Sequence, residues 1–156
     1  MKFSGELTVT APRPEVYKAV RDARFLASCV EGVRDLQETG PDTYAAVFET
    51  KVAYMKFSFK VTVQVTRAEE PREIEAKVDG TPLGIVGRLA ATSVTTLSDD
   101  GDGTKIAYDV DAALTGKLGS LGQPVLRAKA KEMERLFAER MRAAFAHSKT
   151  TSETAP

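Results

Sequence analysis

Alternation of apolar and polar residues with period two dominates the first three quarters of the chain. Lys2 to Thr10 places Phe3, Leu7 and Val9 on one face and Lys2, Glu6 and Thr10 on the other, which predicts a half-buried strand. Ala11-Pro12-Arg13-Pro14 stops it, because proline cannot donate to a sheet ladder but suits the first turn of a helix. A short helix is predicted over Glu15 to Arg21, with Val16, Ala19 and Val20 on one side. After Asp22 a second helix carries Phe25, Leu26 and Cys29 at helical spacing, and Gly32 ends it. Strand then follows strand. Gly32 to Glu38 is short and polar, an edge candidate, and Tyr44 to Val52 sets Phe48 and Val52 against Glu49 and Lys51. Met55 to Thr66 has Phe57, Phe59, Val61, Val63 and Val65 on one face and Ser58, Lys60, Thr62, Gln64 and Thr66 on the other. Glu73 to Asp79 turns Ile74, Ala76 and Val78 inward, and Ile85 to Leu97 is a longer, less regular strand. Thr104 to Leu114 opposes Ile106, Tyr108, Val110 and Leu114 to Lys105, Asp109 and Asp111, after the turn Asp99-Asp100-Gly101-Asp102-Gly103. Sequential strands with short turns predict an antiparallel meander.

Beyond Gly116 the period becomes helical. Leu118, Leu121, Val125, Met133, Leu136, Phe137, Ala144 and Phe145 fall in one broad arc, with Arg127, Lys131, Glu134, Arg135 and Arg142 opposite. Pro124 is tolerated within the first turn of a helix starting near Ser120, which predicts about 26 residues and a length on the order of 40 Å. His147 to Pro156 is Ser/Thr-rich and predicts a disordered tail after a domain spanning residues 1–146. The fold class is therefore α+β: a curled antiparallel sheet of about seven strands closing on one long terminal helix, with two short helices after the first strand.

The length of 156 residues fits one core, and 42% hydrophobic with 28% charged residues is ordinary globular composition. Twenty-two basic and 22 acidic side chains cancel, which argues against a nucleic-acid partner. The balance is uneven: residues 116–149 hold 8 basic and 3 acidic groups. A lone cysteine excludes an internal disulfide, and the alternating N-terminus does not read as a signal peptide, so a cytoplasmic location is expected. No run of apolar residues is long enough to span a bilayer, so membrane contact is expected to be peripheral.

Catalysis needs a polar constellation inside a pocket, and the inward phase here is Phe, Val, Ile, Ala and Tyr. The only histidine, His147, falls in the tail, so no catalytic group and no metal ligand set is expected. Asp109 and Asp111 have the outward phase. Cys29, without a neighbouring histidine, reads as a structural thiol. Tyr108 points inward, where its phenol either bonds a ligand carbonyl or is satisfied by backbone. Phe48, Phe57 and Phe59 with Met133 and Phe137 form a core or, in part, the wall of a cavity. The basic face of the last helix, Arg127, Lys131, Arg135 and Arg142, is a solvated surface, a lipid contact or a partner contact.

Several stretches resemble a known family: Met1-Lys2-Phe3-Ser4-Gly5-Glu6-Leu7-Thr8-Val9, Ala11-Pro12-Arg13-Pro14-Glu15-Val16-Tyr17, Ala27-Ser28-Cys29-Val30-Glu31-Gly32, Tyr108-Asp109-Val110-Asp111-Ala112 and Gly116-Lys117-Leu118-Gly119-Ser120-Leu121-Gly122-Gln123. The resemblance is to the CoxG family of carbon monoxide dehydrogenase proteins, within the START/Bet v 1-like (SRPBCC) helix-grip superfamily, and it runs from residue 1 to about 145. It implies a non-enzymatic accessory protein that couples or recruits molybdenum-containing CO dehydrogenase, or a related molybdenum hydroxylase, to the cytoplasmic membrane. That enzyme passes electrons to respiratory quinone. The resemblance therefore implies a hydrophobic small-molecule ligand, an isoprenoid quinone (menaquinone or ubiquinone), and no covalent cofactor. Candidate ligand-binding residues are Phe48, Phe57, Phe59, Val78, Ile85, Leu89, Tyr108, Val110, Leu118, Leu121, Val125, Met133 and Phe137. Two alternatives stay open. One is a ligand-free adaptor with a filled core. The other is a cyclase- or hydratase-type enzyme on the same fold, which needs a polar residue on the inward phase.

Overall fold

In a computed structural model the described residues are 1–154 for the backbone and 1–146 for the side chains, so the side chains of the expected tail at 147–156 and the backbone of its last two residues lie outside what is described. The sheet has seven strands: β1 (Lys2–Val9), β2 (Val33–Gly40), β3 (Thr43–Val52), β4 (Met55–Glu69), β5 (Glu73–Pro82), β6 (Gly87–Asp100) and β7 (Gly103–Gly116). Its order is β1-β7-β6-β5-β4-β3-β2, with every neighbouring pair antiparallel. The meander from β2 to β7 is the expected one, and β1 pairs with β7 at the far edge. Strands β2 and β4 to β7 outrun their predicted ends by two or three residues, because ladder pairing continues past the last strictly alternating position, whereas β6 starts at Gly87, two residues later than expected.

Helices α1 (Arg13–Arg21) and α2 (Ala23–Ser28) cross from one end of β1 towards the start of β2. Asp22 joins them by capping α2: its carboxylate accepts from the backbone N–H of Arg24 at 3.0 Å and of Phe25 at 3.3 Å. The third helix does not begin at Ser120. A 3-10 turn covers Gly119–Leu121, Gly122 breaks the chain direction with φ of 89°, and α3 (Gln123–Thr154) starts beyond it. Pro124 then sits in the first turn of α3, where its missing N–H costs nothing.

Apolar side chains gather in two separate clusters. One packs Leu7, Val9, Val16, Tyr17, Leu97 and Ile106 against Met141 and Phe145 near the far end of α3. The other packs Val52, Phe57 and Phe59 against Leu118, with Leu121 and Val125 alongside, where α3 begins. Between them α3 approaches β1 on one side and β3 on the other, so the helix bridges the two margins of the curled sheet.

Candidate functional site

Between the two clusters lies a stretch of interior that belongs to neither. Register places Val63, Val78, Ala91 and Ala112 in one row across β4, β5, β6 and β7, and Val65, Ala76, Ser93 and Val110 in the next. Alanine and serine at four of these eight positions leave the concave surface low under the middle of the helix. Val63, Val65, Val78, Leu89, Ala91 and Val110 belong to neither cluster and are half-buried although they face α3. Facing them on α3, Leu126, Ala130 and Met133 are also half-buried. Apolar side chains that point inward yet keep contact with solvent are the candidate wall of a ligand chamber.

The expected ligand residues divide accordingly. Val78, Leu89, Val110 and Met133 line the chamber. Phe57, Phe59 and Leu118 are buried in the cluster that closes one end, where Phe59 stacks on Phe48 at 5.9 Å and contacts Phe57 at 6.3 Å between ring centres. Phe48, Ile85, Leu121 and Val125 pack on that same plug, and Tyr108 and Phe137 pack on the plug at the other end. The list therefore mixes chamber walls with end closures, because strand phase reports which face a residue occupies and not where along the strand the helix descends onto it.

Tyr108 faces inward as its phase predicts. Its ring lies across Gly5 of β1, its register partner, where a Cβ would come within 2.3 Å of the phenol oxygen. The hydroxyl has no hydrogen-bond partner among the described residues. Burial, and after it the charge of Glu134, raises the phenol above its ordinary value. Glu134 is thus a correction to the expected outward arc: it is half-buried and close enough for its charge to act on Tyr108. The expected arc is tilted by Leu118 and Leu121, which precede the break at Gly122 and do not share the phase of α3. Phased on Met141, which is fully buried, and on Phe145, Glu134 falls one heptad before Met141 on the inner face. Ala144, expected in the apolar arc, is exposed.

A cleft of about 330 Å³ opens between the α2–β2 connection, β3, β4 and the middle of α3, with Met133 and Leu136 on its apolar side. Its rim is charged. Glu49 receives Arg34 in a short charge-assisted contact and Lys56 at 3.2 Å, and Lys129 pairs with Glu132 at 3.5 Å. The two cations hold the Glu49 carboxyl below its ordinary range, Arg34 more strongly than Lys56. No local sequence pattern predicts this rim, because Gly32 meets Glu49 only through pairing of β2 with β3: the Glu49 N–H donates to the Gly32 carbonyl at 2.9 Å.

Asp109 and Asp111 are exposed on the outer face, as predicted, where Ser4 donates to Asp109 at 2.5 Å. Cys29 is buried, and its thiol is pushed up by burial, against the smaller opposing influences of Ser28 and Arg140. No group of three metal-ligating side chains occurs among the described residues. On the basic face of α3, Arg127 lies over the Phe3 ring at 5.6 Å and Arg135 pairs with Glu139 at 3.0 Å, whereas Lys131 and Arg142 are exposed. Among the described residues no helix is long and apolar enough to cross a membrane.

A conserved protein from Geobacillus kaustophilus superposes with a TM-score of 0.86 at 24% identity, over 95% of this chain and 97% of that one. A START superfamily protein from Mycobacterium smegmatis superposes with a TM-score of 0.69 at 12% identity, over 94% and 97%. A protein from Chromobacterium violaceum does so with a TM-score of 0.66 at 14% identity, over 92% and 96%. These likenesses establish the START-like architecture. A search of curated proteins finds no match. The family model described as the CoxG subunit of carbon monoxide dehydrogenase matches residues 5–146, which spans both clusters, the chamber and the cleft. The chain belongs to the CoxG family of carbon monoxide dehydrogenase proteins and has a START-like helix-grip architecture.

Proposed function

We propose that this protein is a non-catalytic carrier and adaptor for molybdenum-containing CO dehydrogenase or a related molybdenum hydroxylase. It holds an isoprenoid quinone, with menaquinone the first candidate and ubiquinone the second, between the sheet and α3, and couples the enzyme to the cytoplasmic side of the cell membrane. The observation that carries the reading is the division of the interior into two packed ends and an apolar middle whose inward side chains stay half-buried. The cleft volume lies at the lower end of the range of about 300–1,000 Å³ usual for small-molecule sites. Met133 is common to the cleft and the inner face of α3, which makes the cleft the entry in this reading. The Tyr108 hydroxyl, unpartnered among the described residues and close to Glu134, supplies a donor for a quinone carbonyl while the isoprenoid tail follows the valine rows. Lys131 and Arg142 on the outer face of α3 are offered as contacts for the partner enzyme.

The test is native mass spectrometry and organic extraction of the protein purified from a quinone-containing host. A stoichiometric apolar adduct with quinone absorbance is expected. A clean apo mass that stays unchanged with short-chain quinones, while CO dehydrogenase is still captured, overturns the carrier and leaves a ligand-free adaptor. One observation favours a second reading. Glu134 is a polar group on the inward phase, and an enzyme of the cyclase or hydratase type needs one. Turnover of a small substrate that Tyr108→Phe and Glu134→Gln both abolish, with the fold intact, would establish that reading instead.

A further inference from the structure

We propose that the end of the sheet formed by the β3–β4, β5–β6 and β7–α3 connections docks on the surface of an anionic phospholipid bilayer. The inference deepens the membrane coupling proposed above and rests on it. In an antiparallel meander alternate turns come together at one end, and two backbone bonds tie these connections to their neighbours. The Leu83 N–H donates to the Ser58 carbonyl at 2.8 Å, and the Lys117 N–H donates to the Val86 carbonyl at 3.1 Å. The large apolar side chains that are exposed among the described residues all lie on this end: Tyr54 at 104%, Val86 at 85%, Leu83 at 49% and Met55 at 39%. Single exposed apolar residues are ordinary, but this set is confined to one end of the molecule.

Through the three connections and the strand residues beside them the charge has one sign, with Glu49 and Glu31 of the cleft rim at the border. Residues 50–60, 81–88 and 115–123 contain Lys51, Lys56, Lys60, Arg88 and Lys117 and no acidic residue. Lys56 and Arg88 reach back to Glu49 and Asp79, but Lys51 stands directly opposite Lys56 in the ladder, a like-charge pair that an external anion would relieve. The turn that lifts Tyr54 into solvent uses Ala53 at φ 49° and Tyr54 at φ 70°, a conformation for which glycine and asparagine are the usual residues. Apolar and aromatic tips inside a cationic collar match the interface of an anionic bilayer, where the tips enter the headgroup layer and the lysines meet phosphate. A protein partner fits less well: the apolar groups project from separate turns, and no carboxylate stands among them to meet a basic partner. Behind the tips, Ile85, Leu114, Leu118 and Leu121 belong to the cluster that closes the chamber, so docking sets that closure against the lipid.

The test is flotation of the full chain with phosphatidylcholine vesicles, with and without phosphatidylglycerol. The parent is expected to bind only the anionic vesicles and to be released by salt. Tyr54→Ser with Val86→Ser, and separately Lys51→Glu with Lys117→Glu, are expected to weaken binding by about tenfold or more, while Lys131→Glu with Arg142→Glu on α3 changes it less than about twofold. Circular dichroism melting confirms that each variant is folded. Failure of the parent to bind, tip variants that bind like the parent, or tip variants that lose only the capture of CO dehydrogenase each overturn the proposal. Menadione binding in solution separates the two readings. A parent that binds menadione but not vesicles loses the docking and keeps the ligand, whereas one that docks through the tip but binds no quinone loses the ligand and keeps the docking.

Discussion

The two ends of the sheet are built from the same kind of tight connection and carry opposite charge. At the basic end the connections and the strand residues beside them hold five cations and no acid. At the other end residues 40–43, 69–73 and 99–103 hold Asp42, Glu69, Glu70, Glu73, Asp99, Asp100 and Asp102 against Arg72 alone. The acidic end is partly neutralised from within. Arg21 of α1 reaches Asp42 at 3.1 Å, Arg13 reaches Asp99 at 3.4 Å, and Arg67 and Arg72 meet Glu69 at 3.1 and 2.8 Å. It also lies over the larger packed cluster, where fully buried Thr104 donates to the Ala11 carbonyl at 2.7 Å. The basic end keeps Lys51, Lys60 and Lys117 without such partners among the described residues and exposes its apolar tips. A formal net charge of zero therefore conceals a molecule polarised along its strands, with one end made for its own stability and the other free to meet a surface.

The comparison breaks most visibly in stability. Met141→Ala, in the packed cluster at full burial, is expected to cost about 3 kcal/mol, whereas Met133→Ala in the half-open chamber is expected to cost about 1 kcal/mol or less. Urea denaturation of the two variants measures the difference, and equal losses would mean that the chamber is as tightly packed as the end. At the basic tip, replacing Ala53 with Asn and Tyr54 with Gly suits the positive φ of both positions. It is expected to stabilise by about 1 kcal/mol while weakening vesicle binding. A gain in melting temperature together with a loss of flotation would mark this turn as one where stability is traded for contact.

Acid sharpens the comparison with smaller effects. The Glu69 carboxyl is lowered by Arg72 and then Arg67, and that of Glu49 by Arg34 and then Lys56. Because both folded values are depressed, their contribution is present above the unfolded value of about 4.3 and is lost as pH falls through the folded one. Melting temperature is therefore expected to decline between about pH 5 and pH 3, slightly less steeply in Glu49→Gln and Glu69→Gln. Both groups are only half-buried and keep contact with solvent, so the change is small. Smallest of all is the Tyr108 titration. Its phenol should ionise at a higher pH than an exposed tyrosine in ultraviolet absorbance, and Glu134→Gln should bring it part of the way down by removing a charge that opposes phenolate.

How much of this is legible in the chain depends on the range of the signal. Five alternating apolar residues in β4 predict the strand and its inward face, since side-chain direction along a strand is a local property. The family-like stretches predict the architecture that the fold comparisons bear out. Glu134 reads as outward when one helical phase is drawn through Gly122, and a glycine at φ 89° resets that phase. The rim around Glu49 and the division of the candidate ligand residues into walls and plugs are not legible, because both depend on where α3 lies over the sheet. Small side chains such as Ala91 and Ser93 read as weak strand residues in sequence and become chamber floor only when a helix stands above them.

By itself the sequence determined the order of elements, the face each strand buries and the apolar character of the interior, all set by near-neighbour spacing along the chain. Tertiary structure decided which turns share an end. Residues 50–60, 81–88 and 115–123 are far apart in the chain, and only antiparallel pairing, which reverses direction at every turn, gathers their cations on one side and the acids of the alternate turns on the other.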